Sequence, residues 1–189
     1  MSKTIVIYDS KYGHTKQYAE WIAKECSCAA LPRKQASSAT LSEYNTIIYG
    51  GGLYAGGVSG INLLTENFNL LTTKNVILFT CGLADPENKE NVAHIREALS
   101  KALSSDMMSH FQIFHLRGGI DYKRLNLLHK AMMGMMCKML LGKNPSERSA
   151  EDEELLRTYG KVIDFTDRQT ILPLVEYVNH CEASSDFTL

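Results

Sequence analysis

The 189-residue chain lacks most of the features that would place it in a specialised class. Its five cysteines, Cys26, Cys28, Cys81, Cys137 and Cys181, are odd in number, and they form neither a CxxC pair nor a zinc-ligand spacing with the six histidines. That excludes a disulfide framework and a zinc module, and predicts reduced thiols in a reducing compartment. No metal site is expected. No apolar run approaches the ~18 residues of a spanning helix, and the run within MSKTIVIYDS is too short for a signal sequence. A cytosolic protein is expected. Neither sign of charge dominates: the formal net charge of -1 argues against broad nucleic-acid binding, so no nucleic-acid partner is expected. No Pro/Gly/Ser-rich linker divides the chain, which predicts one domain over 1–189. The triphosphate-binding pattern GxxxxGK[ST] is also missing.

What the chain does have is alternation. Lys3 to Tyr8 (KTIVIY) is short, β-branched and uninterrupted, as a strand buried on both faces is. Ala19, Ile22, Ala23 and Cys26 then mark one helix face. A weaker strand at Cys28 to Leu31 follows, and Thr46 to Tyr49 (TIIY) runs into the glycine-rich GGGLYAGGVSG. Ile61, Leu64, Phe68 and Leu71 repeat at helical spacing, and Asn75 to Thr80 (NVILFT) is strand-like. Asp85-Pro86-Glu87 predicts a helix start, and Val92, Ile95, Leu99 and Ala102 its buried face. Phe111 to Leu116 is the fifth strand, ending at Arg117-Gly118-Gly119. Strands alternating with helices predict an α/β fold with a parallel sheet and helices on both faces.

In such a sheet the ligand lies beyond the carboxyl ends of the strands. The first of these ends holds Ser10, Lys11, Tyr12, Gly13, His14 and Thr15. Successive backbone N–H groups, two hydroxyls and the positive end of a helix starting at about Thr15 make a nest for a phosphate, and Gly13 allows a close turn. With the triphosphate pattern missing, a terminal monophosphate is the expected anion. Gly50 to Ala55 formally fits the dinucleotide pattern GxGxxG/A, but no acidic residue ends a following strand about twenty positions on. A phosphoacceptor receiver is excluded as well, since Asp9 stands alone and Gly50 occupies the place of the second aspartate.

From Val6 to Ile22 the chain reads aliphatic-aliphatic-aromatic-x-Ser-x-x-Gly-x-Thr-x-x-x-Ala-x-x-Ile, which resembles the FMN-binding signature of the flavodoxins. The resemblance implies a three-layer sandwich with a five-stranded parallel sheet in the order 2-1-3-4-5, and FMN phosphate on Ser10 to Thr15. It implies an isoalloxazine ring between two loops: Gly51, Gly52, Leu53, Tyr54, Ala55 and Gly56 after the third strand, and Cys81, Gly82, Leu83 and Asp85 after the fourth. Tyr54 offers a flat face for stacking, and Leu53 is the alternative.

After the fifth strand, Tyr122 to Lys143 (YKRLNLLHKAMMGMMCKMLLGK) holds five Lys or Arg, no acid, and five of the chain's eight methionines. Asn126, Lys130, Gly134 and Lys138 recur every four residues, predicting one narrow polar strip on an otherwise apolar helix. Its apolar surface predicts burial against the sheet or a second subunit, or a docking face for anionic membrane or a flat hydrophobic substrate whose carboxylates the lysines reach. The run Arg117 to Met139 and its position after the fifth strand, with Leu41 to Asn45 leading into the third, resemble the menaquinone-dependent protoporphyrinogen dehydrogenases of bacterial haem synthesis. That resemblance implies oxidation of protoporphyrinogen IX, or another hydrophobic two-electron donor, with quinone as acceptor. A flavodoxin-type electron carrier with a redox partner protein, and an interaction module using the Met-rich helix, stay open beside it. No catalytic side chain is identifiable; Asp85 and Asp121 are the nearby carboxylates. Because the phosphate and ring loops lie outside the insertion, its removal is expected to leave FMN bound. A final helix is introduced by Asp164 to Asp167, with Thr166 and Gln169 at capping-box spacing, and Pro173 predicts a kink or a start at Thr170.

Overall fold

The β-branched runs alternate between two buried layers, so no central strand has a polar face. In chain order, β1 (Thr4–Asp9), α1 (His14–Glu25), β2 (Ala29–Pro32), α2 (Ser38–Ser42) and β3 (Thr46–Tyr54) lead to the two-residue β4 (Gly57–Val58). Then come α3 (Asn62–Thr65), α4 (Phe68–Leu71), β5 (Asn75–Gly82), α5 (Lys89–Ser100), α6 (Ser105–His110) and β6 (Gln112–Arg117). The computed structural model describes residues 3–54 and 56–186, without the side chains of 184–186.

Ile5, Ile7, Ile47, Tyr49, Val76 and Leu78 point to one side of the sheet and meet Leu41, Leu64, Leu71 and Leu99. Val6, Ile48, Ile77 and Phe79 point to the other, against Tyr18 and Ile22 of α1 and Leu174 and Val178 of α9 (Leu172–Asp186). Strand periodicity of two thus gives each run both of its layers. Burying side chains of this size stabilises the fold by ~1.5–3 kcal/mol each.

The order is β2-β1-β3-β5-β6, all parallel, which is 2-1-3-4-5 when parallel strands alone are counted. The expected order is therefore found. Two pairings were not anticipated. β4 folds back antiparallel on β3, and β7 (Gly119–Asp121) pairs antiparallel with β8 (Val162–Asp164) outside the main sheet.

The insertion forms α7 (Leu127–Leu141), capped by Asn126, whose side chain accepts from the His129 N–H at 2.8 Å, and α8 (Ala150–Thr158) follows it. Its buried residues Tyr122, Leu125, Cys137 and Leu140 belong to neither core layer. The expected polar strip is divided: Asn126 is spent on the cap, and Gly134 faces the Tyr159 hydroxyl. Lys130 and Lys138 of that strip are exposed, but the side left to solvent is largely apolar, with Leu127 85% and Met135 72% exposed beside Leu128, Met139 and Leu141. No described helix is long and apolar enough to cross a membrane.

Three helix starts differ from expectation. Asp85 does not cap α5: its carboxylate closes a turn onto the Glu87 N–H, and Asn88 caps instead. The periodic run from Ile61 to Leu71 breaks into α3 and α4 at Asn67, whose side chain donates to the Leu63 carbonyl. The Thr166/Gln169 box is replaced by Asp167, which accepts from the Gln169 N–H and caps a 3-10 turn over Arg168–Ile171 before α9.

His115, on β6, shares a hydrogen bond with the Thr80 hydroxyl through Nδ1, while its Nε2 is buried without a partner. Burial, and secondarily Arg96, push its pKa down from 6.5 to about 4. The unfolded chain therefore takes up this proton more readily than the folded one. The stability His115 contributes is complete above pH 6.5 and is lost as the pH falls toward 4. Melting temperature should drop between pH 7 and pH 5, and His115→Gln should flatten that part of the profile; an unchanged slope would remove His115 as the cause.

Candidate functional site

Register alone brings four strand ends together. Asp9 of β1 lies beside Gly51, Gly52 beside Cys81, and Gly82 beside Arg117, so the segments leaving β1, β3, β5 and β6 share one edge. At the β1 end the Ser10 hydroxyl accepts from the Gly13 N–H at 3.1 Å, closing the loop on itself. Gly13 has φ 108°, where a Cβ is strained, and α1 starts directly after it with no side-chain cap and no acid in its first turn. The first-turn N–H groups thus stand at the positive end of a 12-residue helix without a competing carboxylate. Thr15 is 2% exposed and lines the same cleft as Cys81, whose thiol pKa burial pushes up to about 12.

Beyond this loop lies a cleft of about 340 Å³. Tyr12, His14, Thr15, Leu53, Tyr54, Gly56, Cys81, Gly82, Leu83 and Ala84 form its sheet side, with Gly118, Gly119 and Ile120 at the end. The opposite wall is the insertion: Leu125, His129, Met132, Met133 and Met136, with Glu151 and Leu155 of α8. Glu151 is the one carboxylate in that lining, and no Lys or Arg is part of it. The lysines expected to reach a substrate's carboxylates are on the solvent side: Lys123, Lys130 and Lys138 are exposed.

Tyr54 is held on several sides. Its hydroxyl accepts from the Lys11 N–H at 3.1 Å, the Lys11 ammonium is 4.7 Å from the ring centroid, and the ring lies nearly parallel (18°) to His129. A Cβ on Gly52 would stand 2.6 Å from that ring, so only glycine permits the packing. Burial raises the Tyr54 phenol pKa, with the Lys11 bond opposing.

Arg117 ties the cleft together from behind. Its guanidinium pairs with Asp85 at 3.0 Å and Glu154 at 2.6 Å, donates to the Leu83 carbonyl at 3.2 Å, and lies 3.8 Å from the Phe165 ring centroid.

Most of the residues singled out in the sequence meet here, with corrections. Ser10, Lys11 and Gly13 build the loop rather than the cleft lining. Gly51 and Gly52 are not in a loop: β3 continues to Tyr54, and Gly51 packs on Val58 of β4, where a Cβ would come within 2.2 Å. Cys81 and Gly82 likewise end β5. Asp85 faces Arg117, and Asp121 caps a turn by accepting from the Lys123 N–H, so neither carboxylate lines the cleft. Ala55 lies outside the described residues. Among the described residues no cluster of His, Cys, Asp or Glu could hold a metal ion. The sequence points to the Met-rich helix as a face for a flat hydrophobic substrate without singling out Leu125, His129, Met132, Met133 and Met136, although their spacing of i, i+4, i+7, i+8 and i+11 is a helical stripe.

A family model described as a flavodoxin domain matches residues 5–147. No curated protein matches the chain. Similar solved structures include a flavodoxin from the domain Archaea (17% identity, 61% of this chain and 82% of that chain, TM-score 0.42). A flavodoxin, WrbA-like protein from Agrobacterium tumefaciens has 21% identity, covers 85% and 93%, and has TM-score 0.40. The Trp repressor binding protein from Bacillus subtilis has 14% identity, covers 61% and 83%, and has TM-score 0.43.

The family match makes FMN the cofactor, and the residues present fit it. Gly13 and the uncapped start of α1 form an anion nest, and the adjoining cleft is largely apolar, as a flavin ring requires. Gly13→Ala meets no neighbouring atom, so its cost is backbone strain of ~1–2 kcal/mol that the loop relieves by moving its N–H groups. Fluorescence titration should show FMN bound at least about fivefold more weakly, with riboflavin little changed; equal affinity for FMN would take Gly13 out of the phosphate site.

Proposed function

The chain belongs to the flavodoxin-domain family, and from that premise we propose that it is an FMN-dependent oxidoreductase acting on a hydrophobic two-electron donor, of the protoporphyrinogen class, with a quinone as acceptor. The observation that carries this reading is the shared cleft: Met132, Met133 and Met136 of the insertion line the same space as Tyr12 and Leu83 of the loops and Leu53 and Gly82 of the strand ends.

FMN, when bound, supplies the acceptance and release of two electrons. The residues of this chain supply the rest. Ser10 to Thr15 and the start of α1 hold the phosphate. Leu53, Leu83 and Ile120 exclude water from the ring side, and Leu125 with the three methionines gives the donor an apolar wall. Methionine suits that role, because an unbranched thioether adapts to a flat ligand whose outline is irregular. The resemblance of the insertion to that of the menaquinone-dependent protoporphyrinogen dehydrogenases supports the donor class.

The outer face of α7 supports a membrane location for the same reaction. Leu127, Leu128, Met135, Met139 and Leu141 are exposed there, and Lys123, Arg124, Lys130 and Lys138 have no carboxylate partner among the described residues. Apolar side chains flanked by unpaired cations suit the surface of an anionic bilayer, where quinones and hydrophobic donors partition.

Under anaerobic conditions, protoporphyrinogen IX or a quinol should bleach the flavin absorbance, and added quinone should restore it. Met132→Ser with Met136→Ser should raise KM by about tenfold with a smaller change in kcat, the scale expected for lost apolar contact. Failure of both donors to bleach the flavin, with fast electron exchange with a flavodoxin reductase, would make the chain a carrier.

Co-sedimentation with phosphatidylglycerol vesicles should be measurable at low salt and weaken as salt rises. Replacing Lys123, Arg124, Lys130 and Lys138 by Gln should reduce it more than about tenfold, given ~1 kcal/mol per cation near the surface. Binding that ignores both salt and these substitutions would contradict the electrostatic part of the reading.

A further inference from the structure

One polar side chain of the insertion touches both the phosphate loop and the end of β3. His129 is hydrogen-bonded through Nδ1 to the hydroxyl of Tyr12, which belongs to the phosphate loop. The same imidazole lies nearly parallel to Tyr54, at the end of β3, with centroids 5.7 Å apart and 18° between planes. Tyr12 and Tyr54 meet edge to face at 5.7 Å, which closes a triangle of three rings drawn from three different elements. All three line the cleft. Tyr54 adds its bond from the Lys11 N–H, so the triangle is anchored to the loop that holds the phosphate.

We propose that His129 is a positioning residue of the flavin site, which makes the inserted helix a component of that site. Tyr54 and Tyr12 each have a rotatable ring at the mouth of the cleft. Without His129 the Tyr12 hydroxyl loses its partner, and Tyr54 loses its one parallel ring neighbour, keeping the Lys11 contacts, its seat on Gly52 and the edge of a Tyr12 ring that is itself no longer held. Both rings then sample orientations that cross the space for the isoalloxazine, and binding has to restrict them again. The effect falls on the ring of the cofactor. The phosphate nest, made by Gly13 and the start of α1, is unchanged.

The test compares FMN with riboflavin, which lacks the phosphate. Flavin-free parent, His129→Ala, His129→Phe and Tyr12→Phe proteins are titrated with each flavin by fluorescence, and the melting temperature of each is recorded. His129→Ala should weaken FMN and riboflavin by the same factor, about three- to tenfold, the scale of one aromatic contact. His129→Phe, which keeps a ring against Tyr54, should recover part of the loss. In the His129→Phe background, Tyr12→Phe should have no further effect, because the bond it removes is already gone. Affinity for both flavins within twofold of the parent in His129→Ala would overturn the proposal. So would a loss confined to FMN, which would put His129 on the phosphate. If His129→Ala does not fold, His129→Phe and the double variant carry the same comparison. The measurement reads flavin binding alone, so its result is independent of the donor.

Discussion

The rear of the cleft is held by Arg117. It is the last residue of the edge strand β6, and its guanidinium reaches the segment after β5 through Asp85 and the Leu83 carbonyl, and α8 through Glu154. Its side chain is 17% exposed, so these bonds are partly shielded from water. Hydrogen bonds to charged groups contribute ~1.5–3 kcal/mol each, and losing the cation would also leave two carboxylates facing one another. The planar fork matters, since a lysine could not serve three acceptors and lie 3.8 Å from the Phe165 centroid at once. The backbone of Arg117 contributes too: its carbonyl accepts from the buried Tyr18 hydroxyl, which in turn accepts from the Asp167 N–H ahead of α9. One residue thereby ties together a ring-side segment, α8 and the approach to the last helix.

α7, which packs against α8, does not behave like an ordinary amphipathic helix. α7 buries only Cys137 and Leu140 fully, so its methionines and leucines are divided between the cleft and solvent. An isolated globular protein would not benefit from the exposed half, where apolar area brings no burial. An exposed apolar patch of this kind normally marks contact with a partner surface. The cleft half and the outer half are faces of one helix, so whatever covers the outer face lies within a helix diameter of the cleft, ~10–12 Å.

The parallel sheet was legible because strands buried on both faces leave uninterrupted β-branched runs, and KTIVIY, TIIY and NVILFT all do. The phosphate loop was legible for a different reason: Gly13 and the start of α1 are local in sequence, so backbone chemistry and spacing coincide. What stayed hidden was long-range. Gly51 and Gly52 read as loop because glycine is rare inside strands, yet here the close approach of Val58 and of the Tyr54 ring demands it. Asp85 read as a helix cap because its preferred partner, Arg117, is 32 positions away. His129 carried no signal of its own: a single imidazole in a Met-rich run gains meaning only when folding sets it against Tyr12 and Tyr54, residues more than 70 positions earlier.

That last point changes how the insertion relates to the core of the fold. Read along the chain, residues 122 to 143 stand apart from both cofactor loops, and removal without loss of FMN follows naturally. In space, α7 closes the side of the cleft opposite β3 and β5, and His129 bridges to the phosphate loop. A carrier that passes single electrons to protein partners needs its flavin edge open to a large surface. A 15-residue helix along the cleft reduces that access while creating an apolar trench. On the proposed reading, the same element that restricts a protein partner favours a small apolar donor, and a flavodoxin-type frame becomes selective through one helix placed beside its phosphate loop.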